Sequence, residues 1–226
     1  MPCLENIKYL CVEGTSGGGK TTLVNDISNN YHKFPDTYNY LSDPINGVSW
    51  KMNELVLNFH SYLNAELKFE KQLRNCKVNA IKDRNWISLL LYQLTLSKYC
   101  DKKLVKKCID LLMASVIDFS LTIPDCYIFI VCPPEVTKMR RKLRMSKDWG
   151  DVPSWISSHK RNEFRQERFR LYDSLSIGYP DSNKIILDYN QDIILSKSKE
   201  VESIKKRPVD RNKILSFLHN FIVQNI

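Results

Sequence analysis

The sequence predicts an α/β fold of three layers, in which helices cover both faces of a five-stranded parallel sheet. Short apolar runs typical of buried strands alternate with longer segments of helical periodicity, and this order is characteristic of parallel sheets. Hydrophobic residues make up 43% of the 226-residue chain, which is enough for a sizeable core. We therefore expect residues 1–226 to form one domain with a short inserted lid.

Five apolar runs are the expected strands, at residues 7–13, 38–42, 78–82, 127–132 and 184–188. The expected helices cover residues 21–29, 48–74, 87–99, 103–121, 134–145, 153–174 and 211–223. In the fourth helix, apolar residues such as Leu104, Cys108 and Leu111 recur at helical spacing, which indicates a packed face. Residues 191–208 are polar and rich in lysine, so we expect a solvated insertion before the last helix.

A glycine-rich loop between the first strand and the first helix is the most specific signal in the chain. Gly14-Thr15-Ser16-Gly17-Gly18-Gly19-Lys20-Thr21 fits the pattern G-x-x-x-x-G-K-[ST]. In such a loop the backbone amides and the helix N-terminus bind phosphate, the lysine reaches the β- and γ-phosphates, and the next hydroxyl holds Mg²⁺. The alternative, a glycine-rich structural turn, is disfavoured by the strand–loop–helix order. The sequence thus predicts a P-loop NTPase-type nucleotide site formed by Gly14, Thr15, Ser16, Gly17, Gly18, Gly19, Lys20, Thr21 and Thr22.

The net charge of the chain, +9 from 34 basic and 25 acidic residues, suits a polyanionic partner such as nucleic acid, a membrane surface or a nucleotide. No apolar stretch approaches the ~18 residues that span a bilayer, and no secretory signal pattern is present, so we expect no membrane partner. The seven cysteines contain no C-x-x-C pair, and the four histidines show no metal spacing. These features predict free thiols of a reducing compartment, the cytoplasm or the nucleus.

Two acidic residues follow expected strands, at the sheet edge where open α/β folds bind ligands. Asp83 is followed by Arg84, and we expect the carboxylate to hold the Mg²⁺ hydration shell and the arginine to grip an acceptor. A surface ion pair would look the same in the sequence. Asp43, before Pro44, is suited to accept a proton from a hydroxyl or to orient the acceptor. An Asp-Pro turn is an equal alternative at this position.

A basic helix after the fourth strand predicts a lid over residues 140–152. Arg140 and Arg144 lie at i, i+4 spacing, so both can face one triphosphate. Phosphoryl transfer needs such cations, because negative charge spreads over the transferring oxygens in the transition state. Arg140 is also a candidate to stack on adenine. The alternative is a solvated basic face.

The combined motifs resemble the thymidylate kinase and deoxynucleoside kinase superfamily of P-loop kinases. Val12-Glu13-Gly14 with Gly19-Lys20-Thr21-Thr22 is similar to the E-G-x-x-G-x-G-K-[ST]-[ST] opening of both branches, and Pro134-Glu135 with Arg140 and Arg144 resembles their lid entry. Asp83-Arg84, Ser88 and Tyr92-Gln93 match the D-R-x-x-x-S-x-x-x-Y-Q spacing of thymidylate kinases. The resemblance implies an ATP- and Mg²⁺-dependent kinase.

The acceptor motifs depart from both branches. Leu63 stands near the place of the arginine that holds the monophosphate in thymidylate kinases. Phe59-His60-Ser61-Tyr62 resembles the F-Q-x-Y stretch of deoxynucleoside kinases, with His60 in place of the base-reading glutamine, and Asp43-Pro44 replaces their Glu-Pro. The resemblance makes His60, Tyr62 and Gln93 candidates for the base pocket, and the amide of Gln93 is the more apt reader of a base edge.

Transfer of the γ-phosphate of ATP to a deoxynucleoside monophosphate, with dTMP preferred, is the function that the sequence favours. Phosphorylation of thymidine or another deoxynucleoside at the 5′-OH is the first alternative. A nucleic-acid-associated P-loop ATPase, a polynucleotide kinase and a non-catalytic nucleotide binder are further alternatives. Nucleic acid is disfavoured as a partner because the basic residues concentrate in the lid and the 191–208 segment. The sequence leaves the oligomeric state open, with a homodimer as one alternative.

Overall fold

The computed structural model describes residues 9–27, 31–37, 41, 55–143, 156–188 and 209–226. The strands are β1 (Tyr9–Gly14), β2 (His32–Phe34), β3 (Ala80–Asp83), β4 (Cys126–Val131) and β5 (Lys184–Asp188). The α-helices are α1 (Lys20–Ile27), α2 (Leu55–Asn75), α3 (Trp86–Leu96), α4 (Lys102–Ile117), α5 (Pro134–Leu143), α6 (Arg161–Gly178) and α7 (Arg211–Asn225). Short 3₁₀ helices at Ser158–Lys160 and Asp181–Asn183 precede α6 and β5.

The five strands form one parallel sheet in the order β2-β3-β1-β4-β5, which places β1 at the centre. After β1 the chain moves outward to β2 and back to β3, and then crosses to β4 on the opposite side of β1. The strand order therefore reverses at β1, and open α/β sheets bind ligands outside the carboxyl ends of the strands at such a point. The glycine-rich loop leaves the sheet at this position.

Alternation along β1 divides the core into two apolar layers. Tyr9 and Cys11 belong to a large cluster that packs the sheet against α2, α3, α4, α6 and α7. Leu10 and Val12 point to the other face, where they belong to a smaller cluster with Leu23 and other residues of α1. Helices thus cover both faces of a fully parallel sheet, and the predicted three-layer α/β fold is confirmed.

The second strand differs from the sequence prediction. The structure has β2 at His32–Phe34. The predicted range 38–42 lies outside the described residues except for Leu41, whose side chain is buried and whose backbone forms a bend. β2 is a three-residue edge strand in which Phe34 is buried and the two residues before it are exposed. So short a strand with one buried side chain gives almost no period-two signal.

Helix ends also differ from the predictions. Helix α4 ends at Ile117 rather than residue 121, because Phe119 takes a left-handed conformation with φ of 67° that a helix cannot continue. The predicted 191–208 insertion and most of the 140–152 lid lie outside the described residues. None of the helices in the described ranges is long and apolar enough to cross a membrane.

Candidate active site

The glycine-rich loop joins β1 to α1 through backbone conformations that side chains rarely adopt. Gly14, Gly17 and Gly19 have φ angles of 146°, 80° and 99°. At Gly14 the constraint is also spatial, because a Cβ there would lie 2.3 Å from the carbonyl oxygen of Ile130 on β4. The loop can therefore turn tightly against the sheet only with glycine at this position, and this is the geometry that brings backbone amides to a phosphate.

The side chain of Lys20 folds back over this loop. Its Nζ donates a hydrogen bond to the carbonyl oxygen of Thr15 at 2.9 Å, and the residue is 5% exposed. Burial, and after it the nearby charge of Arg84, lower the pKa of Lys20 to about 7. A bound phosphate would favour the protonated ammonium, because an adjacent negative charge offsets the cost of burying a cation.

Thr21 and Asp83 meet where α1 begins and β3 ends. The hydroxyl of Thr21 donates to Oδ2 of Asp83 at 2.5 Å. The other carboxylate oxygen, Oδ1 of Asp83, is buried and has no hydrogen-bond partner among the described residues. An unpartnered buried carboxylate oxygen beside a hydroxyl suits Mg²⁺, a hard cation that prefers oxygen ligands and bound water. The predicted metal residues are thus adjacent and fit the ion.

The turn after β3 holds Arg84 in a left-handed conformation, with φ of 67°. The carboxylate of Glu13 fixes this turn, since it accepts from the backbone N–H of Asn85 at 2.8 Å and from the hydroxyl of Ser88 at 2.7 Å. Burial raises the pKa of Glu13. The Nε of Arg84 lies 3.7 Å from Oδ2 of Asp36, so the guanidinium faces a cleft beside the loop rather than bulk solvent.

That cleft, which we name the acceptor cleft, opens to solvent and encloses about 560 Å³ when the solvent at its mouth is included. Aromatic rings and both signs of charge contribute to its walls, from the segments that follow β2 and β3 and from helices α2, α3 and α6. Its lining includes Asp36, Tyr62, Glu66, Arg84, Tyr92 and Arg168. Flat aromatic walls suit a base, and charged groups suit a sugar phosphate.

The three residues predicted for the base pocket occupy different places. Tyr62 lines the acceptor cleft. His60 is exposed on α2 with its ring against Phe59, and it is not among the residues that line the cleft. Residues that are two positions apart in a helix point in directions about 200° apart, so His60 and Tyr62 lie on opposite faces of α2. Gln93 is 2% exposed, is also absent from the described lining, and has a buried Oε1 with no hydrogen-bond partner in the described residues.

Arg140 on α5 reaches the outer side of the glycine-rich loop. Its Nη1 donates long hydrogen bonds to the carbonyl oxygens of Gly17 at 3.4 Å and Gly18 at 3.3 Å. In a trans peptide the N–H points opposite to the C=O, so the Gly18 carbonyl that Arg140 contacts directs the Gly19 amide away from the guanidinium. The Gly18 amide donates within the loop, to the carbonyl oxygen of Thr15 at 3.2 Å. The two other predicted charged residues, Asp43 and Arg144, lie outside the described residues.

A second, smaller cavity lies beside the loop, between Thr15 and Ser16 on one side and α5 and α6 on the other, and it encloses about 320 Å³ with the solvent at its mouth included. Two arginines of α6, Arg165 and Arg168, line it, and Arg168 lines the acceptor cleft as well. Neither arginine belongs to a motif that the sequence predicts to be functional. Their i, i+3 spacing on one helix face was a usable signal, but the sequence does not show that this face turns toward the loop.

No family model and no curated protein sequence matches the chain. Solved structures do match. A deoxyadenosine kinase from M. mycoides with bound dATP is 17% identical, has a TM-score of 0.66, and is matched over 86% of this chain and 99% of that one. The same enzyme with bound dCTP gives a TM-score of 0.61 at 17% identity, with the same coverage. A thymidylate kinase from Candida albicans is 18% identical, with a TM-score of 0.58, over 87% of this chain and 91% of that one.

The chain has the fold of the P-loop kinases. The similarity extends over most of the chain in each comparison, and it includes one enzyme of each branch that the sequence motifs resemble. At 17–18% identity it defines the fold, not the acceptor. The comparisons give no support for a homodimer.

Proposed function

We propose that the chain transfers the γ-phosphate of ATP to a deoxynucleoside monophosphate, with dTMP as the first acceptor. One observation carries the proposal. Adjacent residues at the end of β3 face two ligand sites, Asp83 toward Thr21 of the phosphate loop and Arg84 toward the acceptor cleft. A donor phosphate in the loop and an acceptor in the cleft would therefore meet at this strand end, as in-line transfer requires. Structural neighbours include a thymidylate kinase and a deoxyadenosine kinase.

The roles of the donor-site residues follow from their chemistry. Lys20 and the loop amides hold the β- and γ-phosphates of ATP, and Arg140, which contacts the loop at the carbonyl oxygens of Gly17 and Gly18, closes over the transferring group. Thr21 and Asp83 hold Mg²⁺, which neutralises charge on the phosphates when it is bound. Arg144 belongs to the proposed lid, which closes over the transferring group and excludes water.

The acceptor-site residues are assigned in the same way. Arg84 holds the acceptor through its guanidinium, and Tyr62 provides a wall for the base. Asp43 is retained as the candidate base or acceptor clamp. His60 and Gln93 remain candidates from the sequence, but neither is supported by a position in the described cleft.

Phosphorylation of a deoxynucleoside is the second candidate, and the cleft contains an observation that favours it. Two carboxylates, Asp36 and Glu66, line the cleft, and carboxylates accept hydrogen bonds from sugar hydroxyls and base amines. In addition, Leu63 is 5% exposed in the apolar core, so α2 offers no arginine at the position that thymidylate kinases use.

The decisive experiment is a coupled ADP-release assay across the deoxynucleosides and their monophosphates, with a 5′-hydroxyl oligonucleotide added to the panel. We expect turnover with a monophosphate, with dTMP preferred over thymidine in direct competition at equal concentration. Lys20→Ala, with folding confirmed by circular dichroism, should abolish that turnover. Turnover of thymidine alone would assign the chain to the deoxynucleoside kinases, and near-normal turnover by folded Lys20→Ala would refute the phosphate-loop assignment.

A further inference from the structure

We infer that Arg168 binds the phosphate of the acceptor, and that this cleft is therefore built for a nucleoside monophosphate rather than a nucleoside. The inference rests on the proposed kinase function and narrows its acceptor class. Arg168 lies on α6, outside every motif that the sequence analysis uses. It is 9% exposed, and it contributes to the walls of both the acceptor cleft and the cavity beside the phosphate loop.

The guanidinium of Arg168, a residue that is 9% exposed, has no anionic partner in the described part of the chain. Its Nε is inaccessible to solvent and makes no hydrogen bond to a described residue. Its central carbon lies 5.5 Å from the centroid of the Tyr92 ring, a cation–π contact that holds the group in the cleft wall. A buried cation that is not paired and hydrogen-bonded is costly, so this position is explained by an anion that binds later.

The described lining of the cleft contains no carboxylate that is available to pair with Arg168. Asp36 faces Arg84 at 3.7 Å. Glu66 forms a buried ion pair with Lys82, with Nζ and Oε2 separated by 2.9 Å. Each of the two carboxylates in the lining thus has a cation beside it, and the charge of Arg168 remains. A neutral nucleoside would leave this cation unsatisfied, whereas a phosphate monoester dianion would satisfy it with charge-assisted hydrogen bonds.

The position of Arg168 also fits the chemistry of that acceptor. It stands at the wall shared by the acceptor cleft and the cavity beside the phosphate loop, so an acceptor phosphate bound to it would lie near a γ-phosphate held by that loop. An oxygen of the acceptor phosphate forms the new bond to the γ-phosphorus. The bond from that phosphorus to the β,γ-bridging oxygen breaks, and ADP leaves with the electron pair. A dianionic acceptor has no proton to lose, so this step requires no base.

The test compares Arg168→Met with Arg170→Met, a matched arginine on the same helix that is 49% exposed and pairs with Glu167 on the surface. Binding of dTMP and of a non-hydrolysable ATP analogue is measured by calorimetry, and kcat and KM are measured with dTMP and thymidine. We expect Arg168→Met to weaken dTMP binding by about 10- to 100-fold, the loss of a hydrogen bond between charged groups. Analogue binding and any thymidine turnover should change less than about threefold, and Arg170→Met should match wild type.

Arg168→Lys keeps the positive charge, and it provides a second test if the methionine variant does not fold. We expect it to lose dTMP affinity partially, because the bidentate geometry is gone. Loss of analogue binding with unchanged dTMP binding would place Arg168 in the donor site and overturn the inference, as would unchanged binding of both ligands. A wild-type protein that phosphorylates thymidine and does not bind dTMP would overturn the inference and the choice of a monophosphate acceptor, but it would leave the assignment as a P-loop kinase intact. Absence of ADP release with every acceptor, despite dTMP binding that depends on Arg168, would overturn the kinase proposal alone.

Discussion

Replacing Lys82 by methionine should destabilise the protein strongly, because it leaves a buried carboxylate without its cation. Nζ of Lys82 lies 2.9 Å from Oε2 of Glu66, and the two side chains are 0% and 2% exposed. The same Nζ lies 3.7 Å from the centroid of the Phe69 ring. Methionine has a similar volume, so the main loss is electrostatic. Removing one partner of a buried pair costs about 3–5 kcal/mol of unfolding free energy, and we expect a loss in that range.

Urea unfolding followed by circular dichroism at 25 °C measures the effect, with the slope of free energy against urea checked for constancy. Lys106→Met is the matched control, since Lys106 and Asp110 form a pair at 2.7 Å with side chains 60% and 59% exposed. That pair should contribute at most about 0.5 kcal/mol. Lys82→Met combined with Glu66→Met should recover most of the loss. A loss below about 1 kcal/mol in Lys82→Met alone would refute the reasoning.

Three further changes test the phosphate loop and the residues around it. Gly14→Ala should prevent stable folding or cost at least about 3 kcal/mol of unfolding free energy, because its Cβ would lie 2.3 Å from the Ile130 carbonyl oxygen; the yield of folded protein and urea unfolding measure this. Thr21→Val should raise the Mg²⁺ concentration needed for half-maximal ADP release by about tenfold or more, and Thr21→Ser should restore it, because only the hydroxyl binds the ion. Arg140→Met should lower kcat by about 100-fold, with a smaller change in KM for ATP.

Each of these changes has an outcome that would contradict it. Normal folding of Gly14→Ala would mean that β1 and β4 separate more easily than their contact indicates. An unchanged Mg²⁺ requirement in Thr21→Val would remove this hydroxyl from the metal site. An effect of Arg140→Met that is confined to ATP binding at low salt would identify α5 as a nonspecific basic surface.

The donor half of the site could be predicted from the sequence because its geometry is local. Glycines at fixed spacing determine the loop between β1 and α1, and Lys20 and Thr21 follow from the same eight residues. Asp83 could also be placed, since a residue at the end of a parallel strand must lie at the edge of the sheet where the loop emerges. These assignments need only the strand order and no knowledge of how the helices pack.

The acceptor half depends on helix rotation, which the sequence does not determine. His60 and Tyr62 are two positions apart, yet one is exposed and the other lines the cleft. Gln93 matches a motif by spacing, but on α3 it is buried away from the described lining. Arg168 appears in the sequence as one basic residue of a basic helix, and only the packing of α6 brings it to the cleft.

The separation of the two halves has a consequence for changing substrate preference. The cleft walls come from α2, α3 and α6, whereas the donor loop belongs to β1 and α1. Tyr172, one turn beyond Arg168, hydrogen-bonds to Ser88 at 2.8 Å and ties α6 to α3. That tie uses Ser88 of the cleft lining but neither Tyr62 nor Tyr92. Acceptor selectivity could therefore be redesigned by exchanging Tyr62 or Tyr92 in libraries while the ATP site is kept as an unaltered module.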